Sequence, residues 1–176
     1  MMLRTLAIAM LALLLSGSAF AADEPEKTTD LKTTDFVAKA AVANKFEIET
    51  SQLAMKYGQS PDVKAFATQM ISDHEKIGQD FKAALKEANI QPPSDSLDVS
   101  HMAKYAKLRL FTTKTGFDSS YVDTQLQAHE DAVALFKDYA ANGPTPALKA
   151  FAEKTLPTLE DHLKMVQALH SKIPKS

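Results

Sequence analysis

The chain repeats itself at a constant offset of 85 residues. Phe36-Val37 matches Tyr121-Val122, Gly58 matches Gly143, Pro61 matches Pro146, and VKAFA from Val63 matches LKAFA from Leu148. On both sides of each Gly…Pro break the apolar residues recur every three or four positions, the period of one buried helix face. In the first half that stripe runs through Phe36, Ala40, Ala43, Phe46, Leu53, Ala54 and Tyr57 and stops at Gly58. It resumes through Val63, Ala67, Met70, Ile77, Phe81, Ala84 and Ala88. Ser60 reads as an N-cap and Pro61 as the first helical residue, where the missing N–H costs nothing; Pro92 and Pro93 end the segment. The second half carries Val122, Leu126, Val133, Phe136 and Ala140, a break at ANGPTP, and then Leu148, Phe151, Ala152, Leu159, Val166 and Leu169. Pro157 falls inside the last helix and is expected to kink it.

These patterns predict an all-α protein with helices over about 36–57, 61–89, 118–142 and 146–171. Two helical hairpins joined by a long crossover, with a short extra helix between Leu97 and Lys114, form a four-helix bundle of the ferritin-like kind. Only five glycines and no tryptophan agree with helix.

The first 22 residues, MMLRTLAIAMLALLLSGSAFAA, have an early charge at Arg4, an apolar run from Leu6 to Leu15, and Ala19 and Ala21 two apart. They read as a secretory signal peptide over 1–21, cleaved after Ala21, because the run is too short to span a bilayer. The polar residues 22–34 read as a flexible lead-in, 35–172 as one helical domain and 173–176 as a tail. The expected location is the periplasm, with no transmembrane segment once the signal is removed. The chain has no cysteine, which excludes disulfides, thiolate metal ligands and a thiol nucleophile. Twenty basic and 22 acidic residues, without a basic stripe, exclude nucleic acid as a partner.

Each of the four long stripes contains one polar residue where an aliphatic one is expected: Glu47, His74, His129 and His162. Glu47, His74 and His129 lie within a residue or two of their helix midpoints. His162 lies about four residues past its own, roughly 6 Å of rise. In an antiparallel bundle midpoints meet, so one layer gathers three imidazoles and a carboxylate. That set suits one Zn, Cu, Fe or Ni ion rather than Ca or Mg, with Glu47 as fourth ligand or orienting base. The other reading is a polar network that fixes helix register without a metal. The flanking acids are Asp73, Glu75, Glu130, Asp131, Glu160 and Asp161, and residues one apart on a helix point about 100° apart. These acids read as solvated, or as partners of a ring N–H. Met70 and Met165 read as core rather than thioether ligands, and His101 and His170 stay outside the set. No P-loop, G-x-G-x-x-G, H-E-x-x-H or nucleophile motif occurs, so no catalytic residue is assigned.

The stretches FEIETSQLA around Glu47, VKAFATQMISDHEK around His74, GFDSSYV from Gly116, AHEDAVALF around His129 and LKAFAEKTLPTLEDHL ending near His162 carry a resemblance. Over Phe36 to Leu169 the chain resembles the bacterial exported family called Domain of Unknown Function 4142, of ferritin-like fold. The resemblance implies location and fold but no assigned activity. Ferritin-like relatives suggest di-iron chemistry, which uses Glu-x-x-His on two helices. Here Ile71, Leu126 and Leu159 stand three residues before the histidines, so ferroxidase activity and iron storage are not carried over. Two functions remain: an exported protein binding one transition-metal ion, for metal handling or envelope stress protection, or a structural or partner-binding envelope module.

Overall fold

The structure, a computed structural model, describes residues 31–94, 96–112 and 116–173. The expected signal peptide, the lead-in up to residue 30 and the last three residues lie outside the described residues. Five helices follow in order: α1 Leu31–Tyr57, α2 Pro61–Glu87, α3 Val99–Arg109, α4 Phe117–Asn142 and α5 Pro146–Lys172. Among the described residues there is no strand, and no helix is long and apolar enough to cross a membrane.

Helix α1 starts upstream of Asp35 because its first turn is tied down: the Thr33 hydroxyl bonds the Tyr139 hydroxyl at 2.8 Å and Thr145 Oγ1 at 2.9 Å. Helix α2 ends before the two prolines. Asn89 takes a left-handed conformation, and the N–H groups of Asn89 and Ile90 return to the carbonyls of Lys86 and Leu85, which satisfies the last turn. At its other end, the Asp118 carboxylate accepts from the backbone N–H groups of Gln59 and Ser60, at 3.0 and 2.7 Å. Helix α5 runs unbroken through Pro157. The carbonyl this proline leaves without its helical partner is that of Glu153, on the exposed face and open to solvent.

Pairing fixes the topology. Thr33 meets Tyr139 while Ser51 meets Tyr121, so α1 and α4 are antiparallel. Asp62 meets Lys172 while Phe81 meets Phe151, so α2 and α5 are antiparallel too. With short turns joining α1 to α2 and α4 to α5, every neighbouring pair around the bundle is antiparallel. Helices α2 and α4 therefore run the same way, and the chain between them must travel the length of the bundle. Helix α3 lies in that crossover and packs on α1 and α4, with the His101 ring edge-on to Phe46 at 5.0 Å.

The core is in three tiers. One apolar cluster gathers Phe36, Phe81, Phe136, Tyr139 and Phe151 at one end. A second gathers Phe66, Met70, Leu108, Tyr121 and Val166 at the other. Between them the four long helices bury Glu47, Thr50, Ser51, His74, Gln125, His129 and His162. The 85-residue repeat exchanges the two ends: Phe36 and Phe151 in the first cluster correspond to Tyr121 and Phe66 in the second. A pseudo-twofold axis across the bundle thus passes through the polar tier.

Candidate metal centre

His74 and His129 sit at the centres of α2 and α4, and His162 sits in the second half of α5. Each lies on the apolar stripe, so packing of Met70, Ile77, Leu159 and Val166 into the clusters turns the three rings inward. Their centroids form a triangle with sides of 5.9, 5.4 and 5.5 Å. One nitrogen from each ring lies within 4.8 Å of the other two. Imidazoles bound tetrahedrally to one ion at about 2.0–2.1 Å hold their nitrogens about 3.3 Å apart, a contraction within reach of side-chain torsions.

Hydrogen bonding decides which nitrogens are free. His74 Nδ1 bonds Asn44 Oδ1 at 3.1 Å, His129 Nδ1 bonds the Gln125 carbonyl at 2.9 Å, and His162 Nε2 bonds Asp73 Oδ2 at 2.9 Å. A carbonyl or a carboxylate can only accept, so each of these ring nitrogens carries the proton and donates. The second nitrogen of each ring is then the one left to meet a ligand. These are His74 Nε2, His129 Nε2 and His162 Nδ1, all buried and without a protein partner. Orienting a ring through the nitrogen opposite the ligand atom is the usual outer support of a metal-binding histidine.

Glu47 belongs to the same tier but to another part of it. Its Oε1 is 3.8 Å from His129 Nδ1, the nitrogen facing away from the partnerless Nε2, so Glu47 stands beside His129 and outside the three converging nitrogens. Burial raises its carboxyl above the ordinary 4.5, opposed by the charge of His129 and a hydrogen bond with Gln125. Gln125 itself donates to Thr50 Oγ1 at 2.9 Å. Met70 lies in the second apolar cluster, Met165 is exposed, and His101 and His170 pair with Asp98 and Asp123 at the surface. Neither of these two histidines joins the nitrogen cluster.

Three supporting residues lay outside the predicted set: Asn44, Gln125 and, as a named partner, Asp73. A signal for Asn44 exists in the repeat, since it is the counterpart of His129 at the offset of 85. Asp73 adjoins His74 in sequence yet serves His162, because the 100° step from residue 74 turns it toward α5.

Burial and the neighbouring rings of His129 and His162 hold the pKa of His74 well below its ordinary 6.5, and burial lowers that of His162 against the pull of Asp73. Both rings are neutral in the fold, while the unfolded chain takes up protons below 6.5. Their contribution is therefore full above 6.5 and lost as the pH falls. Glu47 has the opposite sign and recovers stability only as the pH falls through its raised value. The metal-free protein is expected to lose about 1–2 kcal/mol between pH 7 and about pH 5.5, as read by urea unfolding in chelator. A flat profile over that interval would contradict neutral buried rings.

The model of the family described as Domain of unknown function (DUF4142) matches residues 18–169. No curated protein matches the chain. Among solved structures, "CopM in the Cu(II)-bound form" shares the fold with a TM-score of 0.66, covering 80% of this chain and 95% of that one at 15% identity. At that identity the likeness speaks for the helical architecture alone, whereas the family match spans the crossover and all four residues Glu47, His74, His129 and His162. The chain belongs to the family Domain of unknown function (DUF4142).

Proposed function

We propose that this protein is an exported metal-handling protein that holds one late transition-metal ion between His74, His129 and His162. The observation that carries the reading is that three buried rings converge, one nitrogen of each within 4.8 Å of the others, while each ring keeps one buried nitrogen without a protein partner and its other nitrogen donates to a fixed acceptor. Three imidazoles and no thiolate suit Cu(II) first and then Zn(II) or Ni(II), in the order of divalent affinities. Iron remains the least favoured of the four. The similar fold of CopM, a protein seen in a Cu(II)-bound form, is consistent with that order. Asp73 hydrogen-bonds His162 and the Glu47 carboxylate stands beside His129, so negative charge behind two ligands would offset that of the ion. Three protein ligands leave a fourth position for water or a transferred ligand, which suits reversible binding. Export rests on the signal-like residues 1–21.

The test is calorimetric titration of the chelator-treated, tag-free protein with Cu(II), Zn(II), Ni(II) and Fe(II), beside the metal content of protein purified from the periplasm. One equivalent of Cu(II) bound more tightly than Zn(II) is expected. No binding of any of the four ions would leave the tier as a polar network that fixes helix register.

A further inference from the structure

The three converging nitrogens are buried, so an ion must cross the protein to reach them. A cavity of about 700 Å³ opens between α1 and α2, beneath Pro92 and Pro93 at the start of the crossover, and His74 forms part of its wall. Two smaller cavities, of about 60 and 230 Å³, touch none of the three histidines. His74 therefore borders both the groove and the histidine cluster. Its Nε2 is the buried atom without a protein partner, and its Nδ1 is bonded to Asn44, which also lines the cavity.

The same wall, one turn further along α2, carries an otherwise unfavourable residue. Gly78 lies within α2, where glycine weakens a helix relative to alanine. A Cβ there would stand 3.1 Å from Asn44 Nδ2, so a side chain at 78 would press on the amide that holds His74. With glycine there, no side chain meets that amide. Glu49, 3.8 Å from Lys45, and Glu75 border the same cavity together with Lys82, so its polar lining carries both signs of charge.

We propose that this groove is the route by which the metal ion reaches and leaves the histidine triad, with the Asn44–His74 hydrogen bond as its gate. The proposal rests on the metal-binding reading of the triad. When the bond breaks, the ring of His74 can turn toward the groove, take the ion from its hydration shell and carry it inward.

The experiment is stopped-flow uptake of Cu(II) by the metal-free full chain, followed by tyrosine emission, with release measured into excess EDTA. Wild type is compared with Gly78→Leu, with Ala41→Leu on the facing wall, with Asn44→Ala, and with Thr124→Leu in the cavity beneath α3. A plug raises the barrier without changing the end states, so Ala41→Leu is expected to slow uptake and release roughly tenfold while Kd stays within about threefold; Gly78→Leu is expected to slow both as well, with a shifted Kd because it also presses on the Asn44 amide. Asn44→Ala is expected to speed uptake as well as release. Thr124→Leu is expected to match wild type. Should Gly78→Leu fail to fold by far-UV circular dichroism, Ala41→Leu carries the same test. Unchanged rates in both plugs with intact equilibrium binding would overturn the route and leave the metal site standing. Faster release without faster uptake in Asn44→Ala would overturn the gate and make Asn44 an orienting residue only. A wild type that binds no Cu(II) at equilibrium removes the metal reading, and the route with it.

Discussion

Replacing His74, His129 and His162 together by leucine is expected to abolish all stabilisation by added metal and to make the metal-free protein more stable by about 1–4 kcal/mol. The tier between the two apolar clusters contains five side-chain atoms, Glu47 Oε2, His74 Nε2, Gln125 Oε1, His129 Nε2 and His162 Nδ1, that are buried without a protein partner. Each such atom costs about 1–3 kcal/mol of lost hydration. Leucine is close to histidine in volume and would join the clusters of Phe36 and Tyr121 into one continuous core. Two of the partners left behind can reach solvent, and Glu47, buried beside His129, takes up a proton, since burial already raises its pKa. Asp73 is already 27% exposed, and Asn44 lines the groove, so both can turn to water. In wild type, by contrast, an ion at a thousand times its Kd adds about 4 kcal/mol. Urea unfolding of both proteins, in chelator and in Cu(II), measures all four quantities. A leucine variant less stable than wild type in chelator would mean that the rings hold the bundle together as a packing network. A variant that still gains stability from the ion would place the site elsewhere.

Those histidines were legible in the sequence for the same reason they are expensive. A polar residue on an apolar stripe is conspicuous, and antiparallel packing makes the middles of helices meet, so His74 and His129 could be matched before any coordinates. His162 lay off the midpoint of α5 and still joins them, because it occupies the same stripe as Leu159 and Val166. The breakers fixed the hairpins, and the long gap between α2 and α4 fixed the crossover. What the sequence could not supply is the set of contacts made across helices. Asn44 orients His74, Asp73 orients His162, and Glu47 stands beside His129, outside the nitrogen cluster. Each depends on the rotation of one helix about its axis to within a few tens of degrees, and spacing along a single helix does not determine that. The choice of free nitrogen on each ring is equally invisible, since it follows from which acceptor meets the other nitrogen.

The repeat separates what builds the fold from what builds the site. At the offset of 85, Phe36 maps to Tyr121, Phe66 to Phe151 and Val63 to Leu148, and all six are buried in the two clusters. His74 maps to Leu159, His162 to Ile77 and His129 to Asn44, so the histidines do not obey the symmetry. Two similar hairpins give a symmetric frame, and polar residues on only some of the equivalent positions give a single asymmetric tier within it.

Truncation in an apolar cluster should therefore damage stability and spare the ion. Phe36 is 1% exposed, stacks on Tyr139 at 3.9 Å between ring centroids and meets Phe136 edge-on at 5.2 Å. Phe36→Ala is expected to cost about 3–5 kcal/mol, because the cavity lies among rings held by three helices and cannot collapse fully. For a domain of this size that lowers the melting temperature by roughly 10–20 °C. Below the new transition, Cu(II) affinity is expected to stay within about threefold of wild type, since mutations at well-separated sites with no shared partners act nearly independently. Calorimetric titration at low temperature, beside thermal unfolding in chelator, reads both. A loss of affinity as large as that of a missing ligand would show that the tier is held in shape by the distant cluster. Affinity kept while stability falls would show that the nitrogens are positioned locally, by Asn44, Asp73 and the carbonyl of Gln125.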